Sequence, residues 1–62
     1  MIKFIEVHAK NDKSAILLNV DSIDCVYYDE KESSTVIDGR EFSFNIYESV
    51  DAVKRLLYKI CE

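Results

Sequence analysis

The feature that most limits how this chain can fold is a change of period between Arg40 and Cys61. Glu41-Phe42-Ser43-Phe44-Asn45-Ile46 alternates strictly, which puts Phe42, Phe44 and Ile46 on one face of a strand. Immediately afterwards Val50, Val53, Leu56, Leu57 and Ile60 recur at three- and four-residue spacing, the stripe of an amphipathic helix from Val50 to Cys61. A strand running straight into a helix pairs one layer of sheet with one helix, so the pattern predicts an α+β domain.

A chain of 62 residues is one domain, residues 1–62, and at this size only about 60% of the unfolded surface is buried on folding. Disulfides, a metal or a second copy usually supply the missing stability. Cys25 and Cys61 lie far apart with no CxxC spacing and a single histidine, His8, so neither a zinc site nor a disulfide framework is expected. No cofactor is expected either. Association with another copy is the remaining route.

The hydrophobic fraction of 48%, with one glycine and no proline, is that of an ordered domain rather than a linker. No basic segment precedes an apolar run and no stretch approaches the length of a membrane span, which predicts a cytoplasmic protein with reduced thiols and no membrane partner. A net charge of −4 argues against a nonspecific grip on nucleic acid.

In chain order, Ile2 to Ala9 reads as a strand with Ile2 and Phe4 on one face and Ile5 and Val7 on the other. Lys10-Asn11-Asp12-Lys13 is a turn in which Asn or Asp can take a left-handed conformation. Ser14 to Val20 returns with Ile16, Leu18 and Val20 opposite Ala15 and Leu17. Around Asp21-Ser22 the alternation breaks, which predicts a capped bend with Ile23 turned inward. Asp24 to Asp29 is the next strand, followed by a charged turn, Asp29 to Ser33. Ser34 to Ile37 and Arg40 to Ile46 flank Asp38-Gly39, read as a type I′ hairpin in which Gly39 supplies positive φ, Ile37 faces Arg40, Thr35 faces Phe42 and Val36 stays outside. Ser49 is the expected N-cap of the helix, with Asp51 in its first turn and Lys59 in its last.

The expected architecture is a five-stranded, mostly antiparallel meander sheet with one C-terminal amphipathic helix packed on one face. Both sheet faces then carry apolar residues, and one helix covers only one of them. Ile5, Val7, Leu17, Val26 and Tyr28 are accordingly predicted as the contact surface of a homodimer or higher oligomer.

The strand ending in Leu18-Asn19-Val20-Asp21-Ser22-Ile23, the strand closing on Asp38-Gly39-Arg40, and Glu48-Ser49 opening a helix that carries Val53 and Leu57 together resemble the FlbD-type flagellar and swarming motility small-protein family and its bacterial and phage relatives. Asn19, Asp21, Ile23, Gly39, Glu48 and Ser49 are the matching positions, across roughly two-thirds of the chain. The resemblance implies a non-enzymatic accessory role. A longer first hairpin, Ala9 to Ser14, departs from the family pattern, so the flagellar role itself is not carried over. Small carbon-storage regulators also join five strands to a terminal helix, but they bind RNA with a basic strand edge, whereas the first strand here has only Lys3.

Catalytic chemistry finds little support. His8 sits beside the Lys10 turn at a position expected to face solvent, Cys25 and Cys61 read as buried free thiols, and no glycine-rich loop exists to cradle phosphate. Two functions fit. The first is a small non-enzymatic, homo-oligomeric interaction or regulatory module that binds another protein. The alternative is a phage-type sponge that holds a nucleotide signal between subunits with Arg40, Tyr47, Lys54, Arg55 and Tyr58.

Overall fold

A computed structural model describes residues 3–61, and side chains over 3–60. Ile2 and the Cys61 thiol, both given roles above, lie outside the described side chains. The elements are strand β1 (Phe4–His8), strand β2 (Ala15–Asn19), a short 3-10 turn (Val20–Ser22), strands β3 (Ile23–Asp29), β4 (Ser34–Gly39) and β5 (Ser43–Ile46), and helix α1 (Val50–Cys61). The α+β class and the C-terminal helix are as expected. The single meander is not, because β1 and β2 form one antiparallel pair and β3, β4 and β5 a separate antiparallel sheet in that order.

The break falls where the sequence bends. Asn19 accepts a hydrogen bond from the Asp21 amide at 3.0 Å and caps the 3-10 turn, a role expected of Asp21 or Ser22. The turn redirects the chain instead of letting β3 pair with β2. The two sheets meet elsewhere, at an antiparallel bridge between Ala9 and Ile46, supported by bonds from the Lys10 amide to the Asn45 carbonyl and from the Tyr47 amide to the His8 carbonyl. The register of the first pair, Ile5 with Leu18 and Val7 with Ile16, puts those four side chains on one face.

That face is the core. Ile5, Val7, Leu18, Ile37, Ile46 and Val53 are buried together, with Ile23, Val26, Phe42, Phe44, Leu56, Leu57 and Ile60 packed against them. Ile5 and Val7, expected at a contact between copies, are therefore interior. Alternation separated the two faces of β1 correctly but could not say which of two apolar faces turns inward. Ile23 packs inward as anticipated.

The β4–β5 hairpin differs from expectation in an instructive way. Its register pairs Asp38 with Ser43, Ile37 with Phe44 and Thr35 with Ile46, and the Gly39 amide donates to the Phe42 carbonyl. Its two turn residues are thus Arg40 and Glu41, two positions beyond Asp38-Gly39. The pairing thereby slips by four residues, Ile37 meeting Phe44 in place of Arg40, and an even slip preserves which side chains share a face. Gly39 has no positive φ. It is glycine because a Cβ there would lie 2.2 Å from the Phe42 ring and 2.5 Å from the Ser22 carbonyl oxygen. Among the described residues, the left-handed positions are Lys13 and Ser33 rather than an Asn or Asp. Val36, predicted outside, is buried at 4% exposure, flanked by Tyr27 and Asn45 on the neighbouring strands.

Helix α1 begins as expected, with Ser49 Oγ accepting from the Ala52 amide at 3.1 Å. At its other end the Lys3 ammonium donates to the Ile60 carbonyl at 2.8 Å, placing a cation on the negative pole of the helix dipole. No described helix is long and apolar enough to cross a membrane.

Candidate functional site

Two surfaces stand out, an outer sheet face and a cleft at the start of α1. On the outer face of the β1–β2 pair, Glu6 lies opposite Leu17 and Phe4 opposite Asn19, which makes Phe4 and Leu17 diagonal neighbours. Phe4 is 54% and Leu17 66% exposed. Leu17 therefore stays on an open surface as predicted, and its companion is Phe4, which the sequence reading had not placed there. Val26 is half-buried against the core, while Tyr28 is exposed on the strand face it shares with Val26, beside the cleft.

The cleft, of about 470 Å³, opens between the ends of β3 and β5 and the first turn of α1. Tyr28, Ser34, Tyr47 and Val50 are among its walls, and Lys10 reaches across to donate to the Glu32 carbonyl. Ser34 is 5% exposed, and its hydroxyl has no hydrogen-bond partner. Against the Tyr47 ring the Lys13 ammonium sits 4.7 Å from the centroid.

One wall of the cleft is fixed by a His–Glu hydrogen bond that sequence reasoning missed. Glu48, next to the N-cap, accepts from the His8 backbone amide at 2.8 Å and sits 2.6 Å from His8 Nδ1. Glu6 Oε2 lies 3.5 Å from the other ring nitrogen. The hydrogen bond to Glu48 holds the imidazole above its ordinary value against the opposing pull of desolvation, and the charges of Glu48 and Glu6 add to the rise. Burial pushes Glu48 up, but the bonds from the His8 ring and amide outweigh it and leave the carboxyl below its ordinary value. His8, expected in solvent, is thus half-buried and committed to a contact. Forty residues separate the partners, and no local pattern announces the pairing.

Cys25, expected to be buried among the apolar residues of its strand, is instead exposed on the outer face of β3, its sulfur 3.8 Å from Asp38. Desolvation, then the Asp38 charge, push its thiol up, which disfavours the nucleophilic thiolate. Among the described residues, no group of three or more His, Cys, Asp or Glu side chains is arranged to hold a metal ion.

The five residues expected to hold a nucleotide are dispersed over one chain. Tyr47 borders the cleft at the start of α1, Lys54 and Tyr58 line a groove between α1 and β3, Arg40 borders a third depression near Phe42, and Arg55 is exposed outside all three. Of these, Lys54 and Tyr58 meet each other, the ammonium lying 5.6 Å from the ring centroid. No protein-family model matches the chain, and no curated protein or solved structure does either.

Proposed function

We propose that this protein is a small non-enzymatic interaction module that pairs with a second copy of itself through the outer face of the β1–β2 hairpin. The observation carrying the reading is the exposure of Phe4 and Leu17 side by side on a strand pair whose other face already fills the core. Large apolar side chains grouped on an open face gain by leaving water, and a two-fold pairing brings the same patch of each chain together. The accessory role implied by the FlbD-type resemblance agrees with this.

Magnitude sets the expected strength. Four such side chains per pair, at about 100 Å² each, contribute roughly 10 kcal/mol at ~25 cal/mol per Å². Lost freedom on association takes back about 4–15 kcal/mol, so pairing in the micromolar range or weaker is expected. A pair that weak forms and dissolves with concentration, which suits a regulatory module. Sedimentation equilibrium tests it, with the mass rising from the 7.2 kDa of one chain toward twice that value and Leu17→Asp returning it to one chain. A wild-type mass of one chain up to about 1 mM would sink the proposal.

A further inference from the structure

We propose that the cleft at the start of α1 is a binding site for a small organic monoanion carrying a flat ring, held within one chain and independent of pairing through Phe4 and Leu17. Three features converge on it. The first is the helix end. Ser49 satisfies the Ala52 amide with its side chain and the Val53 amide with its carbonyl, and among the described residues nothing pairs with the amides of Val50 and Asp51. Both residues line the cleft, and two unpaired donors at the positive pole of a 12-residue helix favour an anion.

The second feature is independent of the helix. Ser34 also lines the cleft, is 5% exposed, and carries a hydroxyl with no partner. Folded proteins rarely bury a polar side chain unsatisfied, and a hydroxyl rotor can turn to meet an acceptor that arrives from outside.

The third feature is the rim, which fixes the ligand's class. Tyr28 and Tyr47 are 56% and 61% exposed and offer ring faces on which a flat group can stack. Lys10 borders the cleft and Lys13 lies over the Tyr47 ring. Two carboxylates also line the cleft, Glu48, whose oxygens both face His8, and Asp51. With those charges already present, the cleft has room for no more than one further negative charge, carried by a carboxylate or a phosphodiester. A volume of about 470 Å³ suits a ligand of one or two rings.

The test is an amide-resolved NMR titration of the full chain with benzoate, with cyclic AMP and with inorganic phosphate. Benzoate and cyclic AMP represent the two sources of a ring-bearing monoanion, and phosphate lacks the ring. At least one of the first two should move the Ser34, Val50 and Asp51 amides at concentrations below about 10 mM, and the relative affinity of the two tells which source the site prefers. Phosphate should bind at least about fivefold more weakly. Ser34→Ala should weaken the ring-bearing ligand about fivefold, the loss of one hydrogen bond, without lowering the melting temperature. Silence of those amides with both ring-bearing probes, shifts confined to other residues, phosphate binding as tightly as the better aromatic probe, or a Ser34→Ala chain that binds unchanged or melts lower would each overturn the assignment. Because these amides lie outside the Phe4–Leu17 face, Leu17→Asp should bind the same probe with unchanged affinity, and a loss of binding there would also overturn it.

Discussion

The two sheets of this molecule treat their outer faces in opposite ways. In the three-stranded sheet the middle strand is flanked on both sides, so Val36 is buried at 4% exposure even though it points away from the core. In the two-stranded pair every residue sits at an edge or near a bridge, and the outward Phe4 and Leu17 remain more than half exposed. A third strand is what separates them, because cross-strand neighbours supply cover that a ribbon of two cannot. The exposed large side chains that lack a polar group, Phe4 and Leu17, therefore both lie on the hairpin, whereas the exposed large residues elsewhere are the tyrosines Tyr27, Tyr28, Tyr47 and Tyr58.

The strongest way to break that comparison is to put the same charge on both outer faces. Val36→Asp buries a carboxylate among Tyr27 and Asn45 and should cost several kcal/mol. A domain of 62 residues holds only roughly 3–9 kcal/mol in total, so the variant should be largely unfolded by circular dichroism. Leu17→Asp, at 66% exposure, should change the stability of a single chain by no more than about 0.5 kcal/mol. Equal losses at the two positions would mean that the outer faces are alike.

Much of this arrangement could be read from the residues alone, and the failures have a common cause. The helix and its Ser49 cap were legible because cap, dipole and apolar spacing are local signals that agree with one another. The faces of each strand were legible for the same reason. What alternation cannot supply is which of two apolar faces turns inward, and so Ile5 and Val7 looked like contact residues until the pairing with Ile16 and Leu18 fixed them inside. The cleft was illegible because Ser34, Tyr28 and Val50 belong to three separate elements, and the His8–Glu48 contact because only the bridge between the sheets brings those residues together.

Gly39 sharpens the comparison within the better-covered sheet. If its role were the positive φ of a type I′ turn, asparagine would be a tolerable substitute. Its neighbours say otherwise, since any Cβ meets the Phe42 ring and the backbone oxygen of Ser22. Gly39→Ala should therefore cost about 1–3 kcal/mol, as overpacking does, and Gly39→Asn should cost at least as much. Chemical denaturation of the two variants decides the matter, and an asparagine variant clearly more stable than the alanine one would restore the turn explanation.

The smallest expected effect lies at the seam, where β1 meets the residues leading into α1. His8 has its folded value raised, so its contribution to stability is fully present below its ordinary 6.5 and is lost as pH rises through the folded value. Glu48 has its folded value lowered, so its contribution is present above its ordinary 4.5 and is lost as pH falls through the folded value. The pair should stabilise the fold most between those two ordinary values. On the acid side Asp12, lowered chiefly by the hydrogen bond from the Ser14 hydroxyl, fades as well, which makes the alkaline side the cleaner readout. The His8 ring protons should titrate with a midpoint above 6.5, and the melting temperature should drift down as pH rises through that midpoint. Glu48→Gln should bring the midpoint back toward 6.5 and flatten the drift, whereas Glu6→Gln, at the longer contact of 3.5 Å, should shift it less. A wild-type His8 that titrates at or below 6.5 would mean that the seam is held by the backbone bonds of Tyr47 and Lys10 and by the His8 amide on Glu48, and that the imidazole adds no electrostatic clasp.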